Sequence, residues 1–168
     1  MGCIQTLKGI AADCSNSIGG IKKVWFANSA DIAAPTAASG GGDQYTLAPE
    51  DMNKFKQYDV DRYSSSLTST FTAGDTGGNR YWTHELTLQF RNLTAASNTE
   101  IQSLSQATLA MVLLDNNGRY WYLPEIEMNG GTAQTGQGLD DLNGYAPTFS
   151  MPTTELPLSL VSFTPNAA

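Results

Sequence analysis

The sequence predicts a mainly β fold, a β-sandwich or β-barrel with one short flanking α-helix, and three observations predict it. Residues 80–91 alternate with period two: Trp82, Leu86, Leu88 and Phe90 share one parity, and Thr83, Glu85, Thr87 and Gln89 the other. Alternation of this kind sets one face on a core and the other on solvent or a partner. Turn signals then recur at hairpin spacing, in the Gly-rich stretch 74–79 and at Asn116-Asn117-Gly118. Finally, with 16 glycines and only 15% charged residues among 168, the chain is loop-rich and builds its surface from Ser, Thr, Asn and Gln. That length is expected to form one domain, 1–168, with enough chain for a full core.

The elements follow in order. Residues 1–19 are small and mixed and are expected to form a terminal arm. A first strand is expected over 20–28 (Ile21, Val24, Trp25, Phe26), although its apolar residues do not alternate cleanly. Residues 29–62 read as a long irregular loop, within which 45–47 could pair briefly and 52–58 could be a helical turn or a strand. A hairpin is expected next, 63–73 with 80–91. Leu67 and Phe71 take the inward parity, and Ser64, Ser66, Thr68, Thr70 and Thr72 the outward one. The outward faces of both strands thus form a ribbon of hydroxyls and amides. Its members Ser66, Thr68, Thr70, Thr83, Glu85, Thr87 and Gln89 are the candidate subunit-interface or lumen face. A short helix is expected over 94–107, capped by Thr94 or by Ser97, the latter with Glu100 in capping-box spacing. Its narrow stripe, Ile101 and Leu104, can pack only on a sheet edge or opening. The continuous apolar run 109–114 reads as a strand covered on both faces. Asn117-Gly118 reads as a two-residue turn, after which 120–123 returns and 125–134 extends. Residues 136–144 read as a polar turn region, and further strands are expected over 145–151 and 158–163.

Nothing in the chain assembles a catalytic motif. The one histidine, His84, stands on the inward parity between Trp82 and Leu86, where a core histidine satisfied by hydrogen bonds is expected. No further His or Cys lies near it in sequence to complete a metal site. Glu125 and Glu127 would share a strand face as a solvated acidic strip rather than as an acid–base pair. The segment 141–144 is similar to part of a calcium loop but lacks the remaining ligands. There is no phosphate-binding loop and no nucleophile elbow. Cofactors, metals and catalytic residues are therefore expected to be none. Trp82, Tyr120 and Trp121 could stack on sugars, but core positions are the expectation for them. The two cysteines, Cys3 and Cys14, are too few for a disulfide framework and fit a reducing compartment. No apolar run is long enough to span a membrane as a helix.

The net charge is −7, and no Lys or Arg follows Arg119. Glu125, Glu127, Asp140, Asp141 and Glu155 fall in that stretch. Such a balance argues against nucleic-acid binding, which needs cations to displace counterions. It serves solubility, and it also suits a surface past which nucleic acid must slide.

Several stretches together resemble a family of small phage virion proteins, described as tail tube or structural proteins of phages with Bacteroidetes-type hosts. They are Ala12-Asp13-Cys14 with Gly19-Gly20-Ile21-Lys22-Lys23-Val24-Trp25, then Ser65-Ser66-Leu67-Thr68-Ser69-Thr70 and Tyr81-Trp82-Thr83-His84-Glu85. Leu104-Ser105-Gln106 running into 109–122 follows, and Thr132-Ala133-Gln134-Thr135-Gly136 with Asn143-Gly144-Tyr145 completes the set. The resemblance implies a β-sandwich or barrel subunit that assembles with copies of itself into rings, usually hexameric, stacked into a tube in the virion tail. It implies other tail proteins as partners, DNA passing without specific binding, and no membrane. It implies that the long loop bridges one ring to the next, with Pro35, Gly41, Asp43 and Tyr45 as candidates. Another virion component (a head-decoration, head–tail connector or fibre-attachment module) or a carbohydrate-binding β-sandwich is the alternative.

Overall fold

A computed structural model of the chain describes residues 9–10, 17–39, 42–61, 63–74 and 78–165. Cys3, Cys14, Gly41, Asp75 and Gly77 lie outside them. Eleven strands and two α-helices follow in order. They are β1 (Ile21–Asn28), β2 (Thr36–Ala37), β3 (Gln44–Thr46), α1 (Pro49–Met52), β4 (Lys56–Tyr58), β5 (Ser66–Ala73) and β6 (Arg80–Thr87). Then come β7 (Phe90–Arg91), α2 (Ala95–Leu104), β8 (Leu109–Asp115), β9 (Tyr120–Gln134), β10 (Gly144–Thr153) and β11 (Leu158–Leu160). The fold is mainly β, as expected.

One strand joins two sheets. The first half of β9 lies between β8 and β11, and its second half pairs with β10. The first sheet therefore runs β4-β1-β8-β9-β11-β3-β2, and the second runs β9-β10-β6-β5 with β7 beside β10. Between them lies the main core, where Val24, Phe26, Met111 and Leu113 meet Leu86, Leu88 and Phe149. A second core covers the opposite face of the first sheet: Trp25, Ala27, Ala110, Val112 and Tyr122 pack against Leu47, Met52, Phe55, Leu160 and Phe163. Strands β1 and β8 thus bury both faces. That is why 109–114 reads as an unbroken apolar run and why β1 does not alternate.

The covering layer comes from residues 29–62, so the expected irregular loop is corrected. It holds a 3-10 turn at Ser29–Asp31, β2, β3, α1 and β4. Its strand β3 pairs in parallel with β11, Gln44 with Ser159 and Tyr45 with Leu160. Residues 52–58 resolve into both options, the end of α1 and then β4.

Three further corrections concern local geometry. Thr94 alone caps α2, its Oγ1 accepting from the Ser97 backbone N–H at 3.1 Å. Glu100 of the expected capping box instead accepts from the Tyr58 hydroxyl. The turn between β8 and β9 has three residues rather than two. Leu114 pairs with Tyr120, and the Gly118 N–H donates to the Asp115 carbonyl at 3.2 Å. Gly118 sits at φ +81, the left-handed position that ends such a three-residue turn. The expected strand 80–91 breaks at Leu88 and Gln89 into β6 and β7.

Candidate assembly surface

Strands β5 and β6 pair in full antiparallel register, and that register assembles the expected ribbon. Ser66 stands opposite Thr87, Thr68 opposite Glu85 and Thr70 opposite Thr83. Ser66, Thr68, Thr70, Glu85 and Thr87 are exposed, and Thr83 is half-buried. Gln89 is half-buried beyond the end of β6, where its N–H donates to Ser65 Oγ at 3.3 Å. Six of the seven candidates therefore form three cross-strand pairs on one face, and Gln89 stands apart. Of the loop candidates, Pro35 is half-buried, Asp43 is exposed, and Tyr45 is half-buried against the second core. Gly41 lies outside the described residues.

On the inward face, burial fades toward the hairpin tip. Leu86 and Leu88 are fully buried, and Phe90 is half-buried. Trp82 is only half-buried and belongs to neither core, which corrects the expected core position. Phe71, also expected to point inward into the core, remains 49% exposed. It packs against Trp82 with ring centroids 5.1 Å apart and the ring planes tilted by 54°.

His84 is fully buried and carries out the role expected of a core histidine. Its Nε2 lies 2.9 Å from the Glu155 backbone carbonyl, an acceptor only, so Nε2 carries the proton and donates. Its Nδ1 then accepts from the Ser69 hydroxyl at 2.7 Å. Ser69 and His84 are direct cross-strand partners, and the bond to the Glu155 carbonyl ties this hairpin to the segment after β10.

The second sheet is open at both of its edges. Strand β5 ends the second sheet, and among the described residues no strand pairs with its outer side. On β9, pairing with β8 ends at Ile126. Beyond that residue β10 alone pairs with β9 among the described residues, which leaves the opposite side of β9 without a strand. A four-stranded sheet thus has a free edge at each end. Free edges carry unpaired backbone donors and acceptors that template pairing with another chain. The sequence did not announce the β9 edge, which follows from where the strand leaves one sheet for the other.

Helix α2 packs beside that second edge. The Tyr145 hydroxyl donates to Asn98 Oδ1, and the Tyr58 hydroxyl to Glu100, so two phenols pin the helix to the sheets. Between α2 and β9 lies a groove of about 360 Å³, lined by Ile101, Met128, Gly131, Thr132, Tyr145 and Pro147 among others. A second cavity of about 460 Å³ opens under β5, against Leu67, Leu113, Trp121 and Leu156. Tyr122 is buried in the second core, and burial, with Asp51 and Glu125 nearby, pushes its phenol up to about 12.

The polar loops contain structural hydrogen bonds. Asp141 Oδ2 accepts from the N–H groups of Gln137 and Gly138 at 2.8 and 2.7 Å, and these bonds hold its carboxyl below the usual range. Glu125 and Glu127 are both exposed, and Glu127 accepts from the Thr108 hydroxyl at 2.8 Å. Among the described residues no three His, Cys, Asp or Glu side chains gather as a metal site, and no helix is long and apolar enough to cross a membrane. Comparison with known proteins returns no matching family model. No curated protein matches the chain either.

Proposed function

We propose that this chain is a structural virion subunit that joins copies of itself edge to edge into rings, stacked as a tail tube through which phage DNA passes. The observation that carries the reading is the pair of open edges at opposite ends of one sheet. Their directions are compatible. Strands β9 and β10, β10 and β6, and β6 and β5 are each antiparallel, so β5 runs antiparallel to β9. A rotation that carries one subunit onto the next preserves strand direction along the ring axis. Edge β5 of one copy can therefore continue the sheet into edge β9 of its neighbour as an antiparallel pair. A head-to-tail contact of this kind closes into a ring when the rotation closes.

The polar ribbon then has a place. In the joined sheet the sandwich face of each subunit stays covered by its own first sheet. The face bearing Ser66, Thr68, Thr70, Glu85 and Thr87 would line the lumen. Hydroxyls, amides and a carboxylate there offer phosphates no cation, which suits passage without binding. The tail assignment within the virion rests on the sequence resemblance.

Sedimentation velocity and negative-stain microscopy of the purified protein over a wide concentration range test the reading. Rings or tubes are expected. A protein that stays monomeric at the highest soluble concentration would end it.

A further inference from the structure

We infer that Phe71 of one subunit seats in the groove between α2 and the free edge of β9 on the neighbouring copy. The inference rests on the edge-to-edge ring proposed above and names the side-chain contact that would lock it.

Three observations place the two features together. First, they lie on the same face of the same sheet, at its opposite ends. Phe71 shares its parity with Leu67 and Ser69, which face the interior cavity. Tyr145 and Pro147 share theirs with Phe149, which is buried in the main core. When two copies join edge to edge, these faces become continuous, and the ring of Phe71 projects on the side where the neighbour carries its groove.

Second, an antiparallel register that matches the two strands face to face brings them to the same level. Laying the eight residues of β5 antiparallel on the open end of β9, with Ser66 beside Gln134, sets Phe71 beside the 128–131 stretch. Met128 and Gly131 line the groove there. Gly131 cannot carry a side chain without disturbing its own subunit, since a Cβ would stand 2.8 Å from the Pro147 Cα. At the level where an incoming ring arrives, Gly131 therefore gives the groove wall bare backbone.

Third, the knob is pre-positioned. The tilted contact with Trp82 holds one side of Phe71 and leaves the remainder, about half of its surface, to water. A rigid aromatic that is half-covered in the monomer loses little conformational entropy on docking, the usual profile of an interface anchor.

The test places p-benzoylphenylalanine at position 71 and irradiates assembled protein. Intermolecular cross-links to residues 128–133 or to Ile101 are expected. In parallel, Phe71→Asp should raise the critical concentration for assembly by about tenfold or more. Leu139→Ser, which removes a fully exposed apolar side chain on the 136–143 loop, should leave it within about twofold. Unfolding melts of both variants should match the parent, because neither side chain is in a core. Cross-links confined to other regions, or a Phe71→Asp protein that assembles like the parent, would overturn the inference while leaving the ring itself standing. A parent protein that never assembles would remove both.

Discussion

The indole N–H of Trp121 donates to Oδ2 of Asp115 across the β8–β9 hairpin at 3.1 Å. The other oxygen of the same carboxylate accepts from the N–H groups of Asn117 and Arg119 at 2.8 and 2.9 Å. One side chain thus closes the turn and fixes the ring that walls the cavity under β5. The turn in turn holds the chain entering β1. Asn117 bonds Ile18 through both its amide atoms, and Asn116 Nδ2 donates to the Gly19 carbonyl.

Asp115→Ala should therefore cost about 2 kcal/mol or more, since three donors lose a charged acceptor together. Asp115→Asn should recover only part of this, because its amide can present one acceptor oxygen, not two. Gly118→Val in the same turn should cost roughly 1–3 kcal/mol by strain alone, as nothing lies within 4 Å of a Cβ there and the penalty is the positive φ. Urea denaturation of the three variants checks the order. An Asp115→Ala protein as stable as the parent would show that water replaces the carboxylate without loss.

How much of this was legible in sequence depends on whether the signal was local. The 109–114 run announced a strand covered on both sides because Leu109, Met111 and Leu113 face one core while Ala110 and Val112 face the other. The ribbon Ser66, Thr68, Thr70, Glu85 and Thr87 was legible because parity is a property of one strand. The exposure of Phe71 and Trp82 was not, since it depends on which other elements reach them. Nor was the open edge of β9, because only long-range pairing reveals that its contact with β8 stops at Ile126 while β9 continues. The ordered layer over 29–62 was hidden because its elements are only two to four residues long and are joined by Ala- and Gly-rich connections. Its legible trace was the apolar residues of β1 that alternation left over, Trp25 and Ala27, which needed a cover.

Gly144 permits the closest backbone approach in the second sheet, and its replacement should be the most damaging small change. A Cβ at this position would stand 1.9 Å from the Phe90 carbonyl oxygen, backbone against backbone. The pairing of Gly144 with Arg91 and with Gln134 leaves neither neighbour free to retreat. Gly144→Ala should cost roughly 3 kcal/mol or more, a fall in Tm of about 6–12 °C for a chain of this size. A melt within two degrees of the parent would show that β7 can detach at no cost.

Alkaline pH should weaken the fold through Tyr122. Burial pushes its phenol from the ordinary value near 10.0 up to about 12. In that window the folded state holds a proton that the unfolded chain has released, so stability falls as pH rises. The contribution is fully present below about pH 10 and is lost progressively toward pH 12. Tyr122→Phe, which cannot ionise, should flatten the decline of the denaturation midpoint between those limits. An unchanged slope in the variant would assign the loss to other groups.

Deleting residues 36–46 should damage the fold rather than merely shorten a surface loop. The deletion takes all of β2 and β3, and with them the pairing of Gln44 and Tyr45 to β11. It also removes the bond from the Val161 N–H to the Tyr45 carbonyl at 3.0 Å. Strand β11 carries Leu160, and Phe163 follows it into contact with Trp25 at 5.1 Å and Phe55 at 5.3 Å. Loosening β11 therefore opens the second core at its centre, in addition to exposing an edge. A loss on the order of 3 kcal/mol follows from the severed backbone bonds alone, with a broader unfolding transition as the covering layer separates from the sandwich. Circular dichroism melts and near-ultraviolet signals from Trp25 and its neighbours measure both. A deletion variant with the parent's midpoint and cooperativity would show instead that this stretch is an appendage, free to serve contacts between rings.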